Sequence, residues 1–187
     1  QYRYVPIKNI QILLSPTHRL DEIDEKYKKA SPLAEYLDSQ SEENILKYTA
    51  RGKGSYHYLY GPTGTGKTEV FLSLAEKVLE QGKGVIYLVP EIGLTGQVAQ
   101  AVRQRFGDTA AILHSGLTPS QRLGEWHRIM HKEARVVVGA RSAIFAPVPD
   151  LGLIIIDEEH DGSYKSGNNP RYHARQVAMH RAGNLHI

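Results

Sequence analysis

Cysteine is missing from all 187 residues, which excludes disulfides and thiolate metal sites within this chain and fits a reducing compartment without proving one. No run of about 18 apolar residues occurs and no basic-then-apolar leader opens the chain, so neither a spanning helix nor secretion has support. A soluble, cytoplasmic protein with no membrane partner is the expectation. Internal repeats and low-complexity tracts are absent as well. Charge of one sign is scarce: 23 Lys and Arg face 20 Asp and Glu, a net of +3. That balance allows nucleic acid as a partner without demanding it, because phosphate binding depends on where the cations sit. What is present is a 41% hydrophobic composition over a length suited to one α/β domain with its own core. Gln1 stands where a methionine would start a protein, and Ile187 falls at what reads as the opening of a strand. A piece of a larger protein is therefore expected.

From Tyr56 onward, apolar β-rich runs alternate with amphipathic segments. Strands are expected at Tyr56–Tyr60, Val85–Val89, Ala110–Leu113, Arg135–Val138 and Leu153–Ile156. Such alternation implies an α/β fold, a mostly parallel sheet with helices on both faces. One helix runs from Glu69 to Gln81 with Val70, Leu74, Val78 and Leu79 at helical spacing, stopped by Gly82 and Gly84. A second spans roughly Leu94 to Arg105, burying Leu94, Val98, Ala101 and Val102. Thr118-Pro119-Ser120-Gln121 carries the signature of a third: a cap, a first-turn proline and the glutamine of a capping box. Its Leu123, Trp126, Ile129 and Met130 are expected to face inward. Residues 1–36 are charged around Asp21–Lys29 and broken by Pro6, Pro16 and Pro32. They read as an extension or interdomain connector, leading to a helix near Ser41–Tyr48 and a domain over residues 37–187 that is incomplete at its C-terminal end.

Gly61-Pro62-Thr63-Gly64-Thr65-Gly66-Lys67-Thr68 lies between the first strand and the first helix, the context in which a glycine-rich P-loop binds ATP or GTP. Backbone N–H groups around Gly64 and Gly66 would point at phosphate oxygens, helped by the positive end of the helix dipole. Lys67 would reach the β and γ phosphates and Thr68 would hold Mg²⁺. A plain glycine turn before a helix would not need all eight positions. Nor is this a dinucleotide loop, since the glycines fall as GxxGxG and not GxGxxG.

Leu153-Ile154-Ile155-Ile156-Asp157-Glu158-Glu159-His160 is an apolar strand ending in acids. Burial in mid-sheet would bring Asp157 out at the carboxyl edge, where open α/β sheets bind ligands. Asp157 is the expected partner of Mg²⁺, and Glu158 is placed to orient or deprotonate an attacking water. His160 is a candidate for relaying phosphate state to a neighbouring element. A plain strand end would look much the same in isolation, but the P-loop about ninety residues upstream gives these acids a counterpart. No residue offers itself as an arginine finger, so weak hydrolysis by this chain alone is expected.

Between those elements, Val89-Pro90-Glu91-Ile92-Gly93-Leu94-Thr95, Leu113-His114-Ser115-Gly116-Leu117, Gly139-Ala140-Arg141-Ser142-Ala143-Ile144-Phe145-Ala146-Pro147 and Asp157-Glu158-Glu159-His160-Asp161 resemble, in order and spacing, the PriA family of primosomal replication-restart helicases. The resemblance covers about residues 37 to 187. It includes Ser163-Tyr164-Lys165 and Arg171-Tyr172-His173-Ala174-Arg175, which look like the family's aromatic-rich loop. It implies the first RecA-like lobe of a superfamily 2 helicase. By the same resemblance, ATP and Mg²⁺ would drive 3′-to-5′ movement on single-stranded or forked DNA, with a second RecA-like lobe and primosome proteins as partners. Gly96, Ala140 and Gln176 depart from the family's usual proline, threonine and aspartate, none of them at the phosphate site. A different-class alternative is an ATP-gated fork-binding scaffold, and another superfamily 2 translocase is a third reading that Pro90–Leu94 argues against.

Arg141 and Ser142 follow a strand and suit backbone phosphates, as do His114 and Ser115. Tyr164, Lys165, Arg171, Tyr172, His173 and Arg175 mix rings and cations as single-strand binding surfaces do. The tamer alternative has the tyrosines packing their own loop. His127 and His131 lie four apart on a predicted helix, but without the glutamate of HExxH or a third ligand they read as a solvated face, not a zinc site.

Overall fold

The computed structural model describes residues 11–14, 55–59, 67–91 and 96–184. Its strands are β1 (Gln11–Leu14), β2 (Ser55–Tyr58), β3 (Gly84–Leu88), β4 (Ala110–Leu113), β5 (Val136–Gly139) and β6 (Leu151–Ile156). The helices are α1 (Lys67–Glu80), α2 (Gln97–Phe106), α3 (Pro119–Met130) and α4 (Ala174–Asn184), with short 3₁₀ turns at Arg141–Phe145 and Gly162–Tyr164. The six strands form one sheet in the order β2-β1-β6-β3-β5-β4, and every neighbouring pair is parallel. β1 lies within the stretch expected to be a connector, yet it pairs with both β2 and β6. Four residues, QILL, are too short for a clear period-2 pattern to mark them as a strand. The expected helix near Ser41–Tyr48 and the charge run Asp21–Lys26 lie outside the described residues.

Strand alternation sorts the core into two layers. Val85, Tyr87, Val89, Val136, Val138, Leu153 and Ile155 pack with Val70, Phe71, Leu74 and Val78 of α1 and Val102 of α2. Ile86, Leu88, Val137, Ile154 and Ile156 face the other way, toward Ile129 of α3 and Ala174, Ala178 and Ala182 of α4. Helices therefore cover both faces, as a parallel sheet buried on two sides requires. Among the described residues no helix is long and apolar enough to cross a membrane.

Two local devices aim the carboxyl edge. Gly82, at φ 77°, stops α1 by donating its N–H to the Leu79 carbonyl at 2.9 Å, the left-handed cap that glycine adopts most cheaply. At the end of β5, a Cβ on Gly139 would lie 2.5 Å from Ala143 Cβ and 2.8 Å from the Leu113 carbonyl oxygen. A side chain there would push away the turn that carries Arg141 and Ser142.

The third helix starts as its sequence demands: the Gln121 N–H donates to Thr118 Oγ1 at 3.2 Å, and the Thr118 N–H donates to Gln121 Oε1 at 2.9 Å. Thr118→Ala is expected to cost about 1 kcal/mol in urea unfolding, the usual worth of such a cap. The inward stripe expected on α3 needs correction. Ile129 alone of the four is buried, while Leu123 is 60% exposed, Met130 is 45% exposed and Trp126 is half-buried. β4 is an outer strand of the sheet, so a helix packed beside it meets less core than one over the centre.

Candidate nucleotide and nucleic-acid site

Lys67 and Thr68 open α1, where the positive end of the helix dipole favours an anion. Across the sheet edge, β6 ends at Ile156 and Asp157 follows, its N–H donating to the Leu88 carbonyl at 2.9 Å. The fold brings the two half-sites into contact: Lys67 Nζ lies 3.4 Å from Glu158 Oε1, although the residues are 91 apart in sequence. Lys67 is 5% exposed, so its ammonium sits in a mostly dry position that an acid or a phosphate has to balance. Gly61, Pro62, Thr63, Gly64, Thr65 and Gly66 lie outside the described residues, as do Ile92–Thr95.

Asp157 is held on four sides. Its Oδ1 accepts from the Glu158 N–H at 3.0 Å, and its Oδ2 accepts from the Tyr87 hydroxyl at 3.1 Å. The backbone carbonyl accepts from the Tyr164 hydroxyl at 2.6 Å, and the N–H is tied to β3. Burial, then the Glu158 charge, pushes its carboxyl upward, while the Tyr87 hydrogen bond and the Lys67 ammonium pull it back. Burial, followed by the Asp157 charge, holds both phenols in the protonated form that can donate. Glu158 has φ 47°, a left-handed conformation costing a residue with a Cβ about 1 kcal/mol or more. This sharp reversal returns its carboxylate toward Lys67, with the other oxygen 3.8 Å from His160 Nδ1. Backbone strain of this kind gathers at working sites.

The donor set suits a magnesium nucleotide. Thr68 and Asp157 offer a hydroxyl and a carboxylate, both hard oxygen ligands. Among the described residues no three His, Cys, Asp or Glu side chains converge on a metal. An ion here would have to complete its shell with water and phosphate, which is the habit of Mg²⁺.

A cavity of about 250 Å³ opens farther along the carboxyl edge, lined by His114, Ser115, Arg141 and Ser142 together with Glu91, Arg122 and Trp126. Four of the candidate DNA residues are thus gathered, and Arg122 and Trp126 join them. Neither is singled out for this role by the sequence: Trp126 is expected there to face inward, and Arg122 carries no motif. Arg122 Nη2 donates to the His114 carbonyl at 3.3 Å. Arg141 is largely engaged inward: its Nη1 donates to the carbonyls of Ser163 and Lys165 at 3.0 and 2.7 Å, and its guanidinium lies 5.6 Å from the Tyr172 ring centroid.

The aromatic loop divides in two. Tyr164 is 0% exposed, so it offers no face to a base; its contact is with Asp157. Tyr172 packs edge-on against Phe145 at 5.1 Å. Arg175 pairs with Glu159 at 2.5 Å, and its N–H donates to His173 Nδ1 at 3.2 Å. Burial and then the Arg175 charge lower the His173 imidazole. Glu159, only 8% exposed, joins the first acids of this segment to α4 through that pair. Lys165 and Arg171 remain exposed. The His127 and His131 rings stack 6.0 Å apart, both on the exposed side of α3.

Residues 39–183 match the DEAD/DEAH box helicase family, and the chain belongs to that family. The relatives it resembles are more particular. It is 61% identical over 145 residues to "Replication restart protein PriA" of Treponema pallidum (strain Nichols), covering 78% of this chain and 22% of that protein. Proteins of the same name from Bacillus subtilis (strain 168) and Helicobacter pylori (strain ATCC 700392 / 26695) are 47% identical over 170 residues and 37% over 180. These matches cover 91% and 96% of this chain and 20% and 28% of the relatives. The chain therefore spans less than a third of the length of these relatives.

Proposed function

We propose that this chain is the first RecA-like lobe of a replication-restart motor. It would bind Mg²⁺·ATP and couple hydrolysis to 3′-to-5′ translocation on single-stranded DNA at forks, with a second lobe and primosome proteins completing the machine in the cytoplasm. The observation that carries this is the 3.4 Å contact of Lys67 with Glu158, at the same sheet edge as the cavity lined by His114, Ser115, Arg141 and Ser142. Residues 37–187 would form the lobe, with β1 lent to its sheet by the preceding extension.

In this reading, Mg²⁺ when bound would supply charge neutralisation to the phosphates. Gly61–Gly66 and Lys67 would clasp the phosphates, Thr68 and Asp157 would hold the ion, and Glu158, released from Lys67 when that ammonium turns to phosphate, would orient the attacking water. Coupling to DNA runs through Tyr164. Its hydroxyl is tied to Asp157, and the backbone carbonyls on either side of it, at Ser163 and Lys165, are tied to Arg141. DNA entering the cavity beside Arg141 and Ser142 would move that loop and with it the acid that holds the ion. His160 senses the state of Glu158, and Lys165 and Arg171 supply exposed charge for the strand, with Tyr172, His173 and Arg175 shaping the loop.

Trp126 is the chain's one tryptophan, so its fluorescence reports on the cavity directly. Single-stranded DNA is expected to quench it saturably. Arg171→Ala should weaken binding and lower the salt slope by about one. Emission that stays constant while DNA binds by anisotropy would remove the cavity from the DNA path.

A further inference from the structure

The hydroxyl of Tyr87 is unused by the reading above, and its position is unusual for a core strand. β3 is buried throughout, and Tyr87 sits on the face packed by α1, its ring edge-on to Phe71 at 5.7 Å. Packing alone asks only for an apolar side chain there. A buried phenol instead needs a polar partner, and this one donates to Asp157 Oδ2 at 3.1 Å. The Thr68 side chain lies within reach of the same hydroxyl. One phenol thus stands between the P-loop threonine and the acid at the end of β6.

We propose that Tyr87 is a positioning residue for magnesium, its hydroxyl locking the Asp157 carboxylate in register with Thr68 so that both present oxygens to one ion. The inference rests on the nucleotide site proposed above. With Oδ2 held by Tyr87 and Oδ1 by the Glu158 N–H, the carboxylate has no free rotation, and each oxygen keeps lone-pair capacity for a water of the ion's shell. A neutral donor also suits the task better than a lysine or arginine would. It fixes the carboxylate and leaves the full negative charge to attract the cation, whereas Lys67 is reserved for phosphate. Groups that orient a metal's ligands from behind commonly change metal affinity when lost.

The test is Tyr87→Phe in the 187-residue chain, with a fluorescent N-methylanthraniloyl ATP titrated at a series of Mg²⁺ concentrations. The Mg²⁺ midpoint for nucleotide binding is expected to rise about tenfold, while affinity at saturating Mg²⁺ stays near the wild-type value. A merely structural role would lower affinity at every Mg²⁺ concentration or leave the midpoint in place, and either result overturns the inference. If Phe at this position prevents folding by circular dichroism, 3-fluorotyrosine introduced at position 87 decides. Its ¹⁹F resonance is expected to shift when Mg²⁺ is added to the nucleotide-loaded chain, and a stationary resonance overturns the proposal. A wild-type chain that binds no nucleotide at any Mg²⁺ concentration would sink the nucleotide site itself. A wild-type chain that binds, with an unshifted midpoint in the variant, sinks only the role of Tyr87.

Discussion

Under the proposed function, Glu158→Gln is expected to lower DNA-stimulated ATP hydrolysis by about 10²–10⁴-fold in the full-length protein, the usual contribution of a positioned general base. Nucleotide binding should survive. Two features of the site separate these effects. The substitution removes the charge that, after burial, does most to push the Asp157 carboxyl upward, so the magnesium-side acid stays ionised more readily. It also weakens the ion pair that competes with phosphate for Lys67. The variant should therefore bind Mg²⁺·ATP at least as tightly as the wild type while failing to turn it over. Phosphate release measures the first effect, and equilibrium titration with a fluorescent nucleotide measures the second. Hydrolysis within a few-fold of wild type would remove Glu158 from the reaction and leave its φ of 47° as a feature of the turn only.

Much of this architecture is legible in the residues. β3, β4, β6 and α1 announce themselves because each is apolar on the schedule of its own geometry and bounded by a recognisable stop, and α3 because of its capping box. The acids after β6 are legible because a fully apolar strand gives charged groups one place to emerge. α4 is harder to read. Its buried face is Ala174, Ala178 and Ala182, which fit closely against the sheet but carry little hydrophobic contrast with Arg175, Gln176 and His180. Tyr87 is hidden for the opposite reason. In a run of strand residues a tyrosine looks like any other large apolar side chain, and only the sheet shows that its hydroxyl reaches an acid 70 residues away. The aromatic loop shows a third kind of limit. Its composition suggests an open stacking surface, but Tyr164 is buried beneath Asp157, and composition does not say which ring of a loop turns inward.

Lys67→Met should lower Mg²⁺·nucleotide affinity by about 100-fold, since truncating one side of a buried charge-assisted contact costs roughly 2–5 kcal/mol. Methionine keeps the apolar stem and removes the charge. Without nucleotide, the same change leaves Glu158 and Asp157 facing each other with one fewer countercharge. Glu158 is 26% exposed, so solvent softens the penalty, and a loss of about 1–2 kcal/mol in urea unfolding is expected. The two consequences come apart in the double variant Lys67→Met, Glu158→Gln. Removing both charges should restore most of the stability, because the Glu158 charge no longer faces Asp157 without a cation between them. Nucleotide affinity should stay low, because the phosphates still lack their ammonium. If affinity returned along with stability, the role of Lys67 would be to neutralise Glu158 and not to clasp phosphate. The alternative reading as a fork-binding scaffold is separated by the same residue in full-length protein. Loss of unwinding together with loss of primosome assembly belongs to a motor, and assembly retained in Lys67→Met belongs to a scaffold that hydrolysis merely resets.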